Sequence, residues 1–219
     1  MSEELLASSI AAPGFMGVNT QDSSVGLESG YATTAFNCVI DKFGRIGARK
    51  GWLAKHASNA DLSTADVKAI GELIDNAGNS YIVFAGNNKL FKLVGSTVTE
   101  LTYGGGGTAP TISDSNWQMA ALSGCLYLYQ SGHTPLVFDP ATSATTYKRI
   151  SEKTGYLGTV QSSNCVISAY GRTWSANTAT DKNTIQFSDL QAGHVLSTGT
   201  SGTLDVSRVW PNGADEITA

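Results

Sequence analysis

At 219 residues, the chain is long enough to bury a real core. Its net charge of −4 and its low content of charged residues, 15%, exclude the basic excess of a free-standing nucleic-acid binder. No apolar run approaches the ~18 residues that span a bilayer, and Glu3 and Glu4 stand where a secretory leader needs positive charge, so the expectation is a product made in the cytoplasm. Cys38, Cys125 and Cys165 are odd in number and lack CxxC spacing, which argues against a disulfide framework or a zinc site and predicts free, mostly buried thiols.

Residues 1–16 read as a flexible N-terminus and residues 17–60 as an arm that ends in a hairpin. Pro13, Gly14, Gly17, Gly26 and Gly30 break any long helix, while Phe15, Leu27, Tyr31, Val39 and Ile40 are too sparse to make a core. Within the arm, NCVIDKFGRIGARKGW (37–52) concentrates Lys42, Arg45, Arg49 and Lys50 between glycines. The cluster has three readings: contacts to acidic partner surfaces, with Arg45 and Arg49 as the main anchors; a solvated hairpin kept soluble by its charges; or direct DNA binding.

From residue 61 to 219, short alternating apolar stretches cut by Gly, Asn, Ser and Asp predict antiparallel strands. LSTADVKAI (62–70) fits a capped turn and the start of a strand equally. A first meander follows over 67–74, 80–85, 89–94 and 97–102, joined by DNAGN, GNN and GS, whose Gly and Asn accept the positive φ of tight hairpins. TYGGGGTAP (102–110) lacks the GK[ST] ending of a phosphate loop and reads as a flexible surface connection. A second meander covers 117–122, 125–130, 135–139 and 145–150, and a third covers 164–169, 172–176, 184–188 and 203–207. Asp139 and Asp181 read as turn residues rather than calcium ligands. His56, His133 and His194 fall in no HExxH motif and beside no GxSxG elbow, so no enzyme, metal or cofactor is expected.

Ala69, Ala120 and Ala169 occupy the same place in the first strand of each group and lie 51 and 49 residues apart. A period near 50 with four short strands per unit predicts an all-β, propeller-like array of four-stranded antiparallel blades. A sandwich or orthogonal barrel with coincidental spacing is the competing reading. Three blades, with the start of a fourth at WPNGADEITA, fall short of the roughly four to eight that close a ring.

The ordered set Gly17, Thr20, Gln21, Asp22, Leu27, Asn37, Gly44, Arg49 and Lys50 resembles the N-terminal segment of tail tubular protein B, the nozzle protein of short-tailed (podovirus) bacteriophages. The meanders that follow are similar to that family's propeller. The resemblance implies a virion structural protein, assembled in the host cytoplasm as a homo-hexamer below the adaptor (head-to-tail connector), with tail fibres as a further contact. It also implies a conduit that genomic DNA crosses without tight binding, which an acidic balance favours because DNA carries a negative charge about every 1.7 Å. The assembly interface it implies comprises Gly17, Thr20, Gln21, Asp22, Leu27, Asn37, Arg45, Arg49 and Lys50. A propeller that binds carbohydrate or a receptor through Trp117, Trp174 or Trp210 is the alternative.

Overall fold

Alternating sequence and turn chemistry produce sixteen strands among the described residues, with two short 3-10 turns. The computed structural model describes residues 14–40, 42, 45–51, 53–54, 59–63, 65–113, 117–130, 132–178, 180–207, 209 and 216–218. The chain divides into two compact units, residues 1–54 and 55–219.

In the first unit, β1 (Gly17–Val18) pairs in parallel with β2 (Tyr31–Ala32), and β3 (Cys38–Ile40) pairs with β4 (Ile46–Ala48) as an antiparallel hairpin. Asn19 accepts the backbone N–H groups of Gln21 and Asp22 through its side-chain oxygen and donates to the Asp22 carboxylate, which sets the turn after β1. Among the described residues, the three buried apolar clusters draw none of their members from this unit.

The second unit holds three four-stranded meanders. The first comprises β5 (Val67–Ile74), β6 (Ser80–Gly86), β7 (Lys89–Val94) and β8 (Thr97–Tyr103). β9 (Trp117–Leu122), β10 (Cys125–Gln130), β11 (Leu136–Phe138) and β12 (Thr146–Arg149) make the second, and β13 (Ser163–Ala169), β14 (Arg172–Thr178), β15 (Thr184–Phe187) and β16 (Gly202–Asp205) the third. Two-residue turns with both members at positive φ close three hairpins: Asn87–Asn88, Ser123–Gly124 and Tyr170–Gly171. Ahead of β5, both features of LSTADVKAI coexist: Asn59 caps a 3-10 turn over Ala60–Leu62, and the strand begins at Val67.

Ala69, Ala120 and Ala169 lie on β5, β9 and β13, the first strand of each meander. These first strands run beside one another, β5 against β9 and β9 against β13. Separate four-stranded propeller blades are not shown, however. β8 pairs in parallel with β12, Thr102 opposite Thr146 and Tyr103 opposite Tyr147, and this fuses the first two meanders into one eight-stranded sheet in the order β5-β6-β7-β8-β12-β11-β10-β9. Its terminal strands, β5 and β9, touch without pairing, so the sheet is nearly closed. The largest core cluster lies between the two halves, with Val83, Leu90 and Leu101 facing Leu126, Leu128 and Phe138. Trp117, a candidate for sugar stacking, is buried here.

The shared edge explains the glycine tract. A Cβ on Gly104 would stand 2.8 Å from the Thr146 side chain, and one on Gly105 would collide with Glu152. The tract is not a loose connection, because Arg149 donates to the carbonyls of Gly106 and Thr108 while Glu152 accepts the Gly106 N–H. The third meander is a separate four-stranded sheet, β13-β14-β15-β16, referred to below as the third sheet, and its last strand ends at Asp205 rather than reaching 207. Of the expected fourth-blade strand, Trp210 and Ala219 lie outside the described residues; Ile217 donates its N–H to the Lys182 carbonyl and accepts from the Asn177 carboxamide at 2.7 Å.

Gly104→Ala should push β8 away from β12 and destabilise the protein by about 1–3 kcal/mol. Urea unfolding checks this, and Thr146→Gly in the same chain should recover much of the loss because it removes the atoms that the new Cβ would meet.

Candidate functional site

The third sheet has an unusual division of its two sides. Register places Ile167, Trp174 and Phe187 on one side, with Cys165, Ala176, Ile185 and Leu204 beside them. The other side carries Val166, Thr173, Ser175, Gln186 and Thr203. Val166 joins the cluster formed by Ala120, Tyr127, Tyr129 and Val137 of the second meander, so the polar side is the one turned inward. Its polar groups find partners. The Gln186 amide donates to Thr159 O at 2.9 Å, and Ser188 Oγ accepts the Thr173 N–H at 3.0 Å.

The apolar side faces outward. Ile167 is 62% exposed and Leu204 51%, and an open groove of about 600 Å³ runs over Ile167, Trp174, Ala176 and Ile185, with Ile217 and Thr218 of the same chain along its lining. Trp174 leans on Phe187 with ring centroids 4.9 Å apart and donates its indole N–H to Ala169 O. Arg172 sits over the same Phe187 ring at 5.7 Å. Large apolar groups that remain exposed in register on one sheet side mark a surface suited to binding another surface.

The residues singled out by the sequence in the first unit do not converge on one cluster. Gly17 lies in β1 opposite Tyr31, and exposed Thr20, Gln21 and Asp22 form the turn after it. Leu27 is half-buried. Asn37, at φ 52, precedes β3 and accepts the Arg49 N–H through its carbonyl, which closes the β3–β4 hairpin. Arg45, Arg49 and Lys50 are exposed on or beside this hairpin, and Gly44 lies outside the described residues. The described part of the basic segment forms the β3–β4 hairpin.

Titratable groups gather elsewhere, at the junction of the second and third meanders. Lys153 donates to Asp139, which also accepts from Thr142, and this network closes the turn after β11. Burial alone would raise the Asp139 carboxyl, but the Lys153 and Thr142 hydrogen bonds outweigh it and hold it below its ordinary value. Burial pushes the nearby Cys125 thiol up, as it does the phenols of Tyr127 and Tyr129. His194 lies with Nδ1 3.4 Å from the Tyr127 hydroxyl, and its pKa is lowered by burial and then by the Lys153 charge. A second network joins the Tyr103 hydroxyl to Glu152 and Arg149 at the glycine tract. Both networks are closed among their own members and hold loops. Asp181 likewise sets a turn, accepting from the Asn183 N–H and the Thr184 hydroxyl.

The three cysteines are free, as expected; Cys125 is buried, whereas Cys38 and Cys165 are half-buried, so the expected burial holds for one of the three. His133 is half-buried, and His56 lies outside the described residues. Among the described residues no group of His, Cys, Asp and Glu side chains is arranged to hold a metal ion, and no helix is long and apolar enough to cross a membrane.

Comparison with protein-family models, with curated proteins and with solved structures finds no match. The likeness to nozzle proteins therefore rests on the ordered residues of 17–52 and the meander repeat alone.

The lowered His194 pKa has a definite sign. As pH falls through the ordinary imidazole value of 6.5, the unfolded chain takes up the proton before the folded one, so stability decreases toward acid. Asp139 acts at lower pH, because its contribution is present above 3.8 and is lost as pH falls through its depressed folded value. Urea midpoints measured between about pH 7.5 and about pH 5 should drop in the native chain, and His194→Gln should flatten that drop.

Proposed function

We propose that this chain is a structural protein of a short phage tail, a nozzle-type subunit that forms part of the wall of the DNA ejection conduit. The observation that carries the reading is the third sheet, which turns its polar side inward and its apolar side out. Such a face is of use to a subunit that packs against a neighbour. The three meanders with adjacent first strands support a propeller-like body, and the ordered residues of 17–52 favour the nozzle family over other assemblies.

In this reading the β3–β4 hairpin carries Arg45, Arg49 and Lys50 to the adaptor, where guanidinium groups pair with carboxylates in two-pronged fashion. The exposed Val25 and Phe36 of the same unit supply apolar area at the contact. The subunit forms a hexameric ring, and the net charge of −4 keeps passing DNA from being held. The carbohydrate-binding alternative loses Trp117 to the core and retains Trp174 as a half-buried ring on the outer face.

Antibodies raised against the chain should label the tail of intact particles in immunogold electron microscopy, and their absence from particles would remove the reading. Arg45→Glu with Arg49→Glu should leave the circular dichroism spectrum unchanged while reducing incorporation into tails at least tenfold, a loss equivalent to about 1.4 kcal/mol of contact energy. Normal incorporation of the double variant would leave the hairpin as a solvated element.

A further inference from the structure

The turn between β11 and β12 contains the only Asp-Pro pair of the chain, Asp139–Pro140. Such a bond combines two chemical properties. Its tertiary amide nitrogen leaves readily once protonated, and the preceding carboxylate reaches its own carbonyl carbon through a five-membered ring. The fold adds a cradle at this same bond. The Asp139 carbonyl oxygen accepts two backbone N–H groups, from Thr142 at 3.1 Å and from Ser143 at 3.0 Å, and paired donors of this kind stabilise the negative charge that develops on a carbonyl under attack.

The carboxylate lies beside that carbonyl. The Thr142 N–H that points at the carbonyl oxygen also reaches Asp139 Oδ1, at 3.4 Å, so the two oxygens share one donor. Oδ2 is held by the Thr142 hydroxyl at 2.9 Å and by the Lys153 ammonium, which leaves Oδ1, with its one long bond, the less engaged oxygen. Burial works against ionisation, but the hydrogen bonds outweigh it and keep the group a carboxylate. Lys153 brings a proton donor to the same point, and with its side chain 14% exposed and that of Asp139 16%, bulk water competes little for either. A cavity of about 20 Å³ lined by Asp139, Thr142, Ser143 and Lys153 has room for one water.

We propose that the Asp139–Pro140 bond is a self-cleavage site, with Asp139 Oδ1 as nucleophile, the Thr142 and Ser143 N–H groups as the cradle for the carbonyl oxygen and Lys153 as proton donor. Oδ1 attacks the Asp139 carbonyl carbon, the C–N bond to Pro140 breaks, and Lys153 gives its proton to the departing nitrogen. The product is a cyclic anhydride of Asp139. One water opens it, which restores the side-chain carboxylate and leaves Asp139 as a C-terminus; of the two protons released, one returns to Lys153 and the other charges the new Pro140 amine. The balance is amide plus water to carboxylate plus ammonium. The inference is independent of the tail assignment, because it uses only this turn and the side chains around it.

The test is intact-mass spectrometry of the full chain during incubation at neutral pH, in buffer and in urea above the unfolding transition. The native chain should give fragments 1–139 and 140–219, the second beginning with Pro140. Cleavage should be about tenfold or more faster in the folded chain than in the unfolded one, because only the fold supplies the cradle and Lys153. Asp139→Asn should abolish the fragments. Lys153→Arg keeps a cation against Asp139 but holds its proton too tightly to donate, and it should slow cleavage about a hundredfold, the low end of what a positioned general acid supplies, with the urea midpoint near that of the native chain. If that midpoint falls, the comparison of folded with unfolded native chain decides alone. A native chain that stays whole in buffer, a rate in urea equal to that in buffer, an Asp139→Asn chain that is still cut, or a folded Lys153→Arg chain cut as fast as the native one would each overturn the proposal.

Discussion

The second unit depends on the contact between the two halves of its eight-stranded sheet. Val83, Leu90 and Leu101 on one half and Leu126, Leu128 and Phe138 on the other are almost fully removed from water. Each such side chain contributes roughly 1.5–3 kcal/mol relative to exposure. Closing this core brings the outer strands β8 and β12 within hydrogen-bonding reach, and they pair. Two glycines make the closure possible, one at the β8–β12 seam in the middle of the strand order and one where the terminal strands meet. Gly104 admits Thr146 at the paired edge, and Gly71 admits the Met119 side chain where β5 meets β9. The Tyr103, Arg149 and Glu152 network then ties the glycine tract to the β12 end, which supplies partners for backbone groups that a free loop would leave to water.

The third sheet joins this body through a different kind of contact. Its inward side is largely Ser, Thr and Gln, and the net gain from such a junction is small, since satisfied hydrogen bonds mainly replace those to water. Tyr127 and Tyr129 supply most of the apolar volume there, and Gly193 lets the Tyr127 ring lie against the loop after β15. On the apolar side of the same sheet Ile167 and Leu204 remain in solvent, where covering them would release about 25 cal/mol for each Å² removed from water. The more favourable burial of this sheet is thus still open to a partner. That physical fact underlies the assembly reading.

The first unit stands at the other extreme. Its strands are two or three residues long, and among the described residues none of its side chains enters the buried clusters. Backbone ordering costs roughly 1–2 kcal/mol per residue, and short isolated hairpins offset little of it. Local devices hold what order there is: the Asn19 turn, and the Asn37 carbonyl that receives Arg49 N–H across the hairpin ends. A unit of this kind gains most from a surface outside itself.

The sequence by itself determined the strands, because alternation and turn chemistry are local. VKAIGELI, CLYLYQ and RTWSA are strands where their patterns place them, and Asn87–Asn88 and Ser123–Gly124 turn where positive φ is required. It also determined the repeat, since Ala69, Ala120 and Ala169 all fall on first strands. The tertiary structure alone decided how the repeats combine. Pairing between β8 and β12 depends on which edges meet in space, a property that no spacing encodes, and it turned two expected blades into one sheet. The candidate face was hidden for a related reason. Cys165, Ile167, Trp174, Ile185 and Leu204 form a regular apolar pattern, and such a pattern specifies that a side seeks burial without specifying what buries it. Only the packing of Val166 against the second meander showed that the polar side had been taken into the core and the apolar side left to solvent.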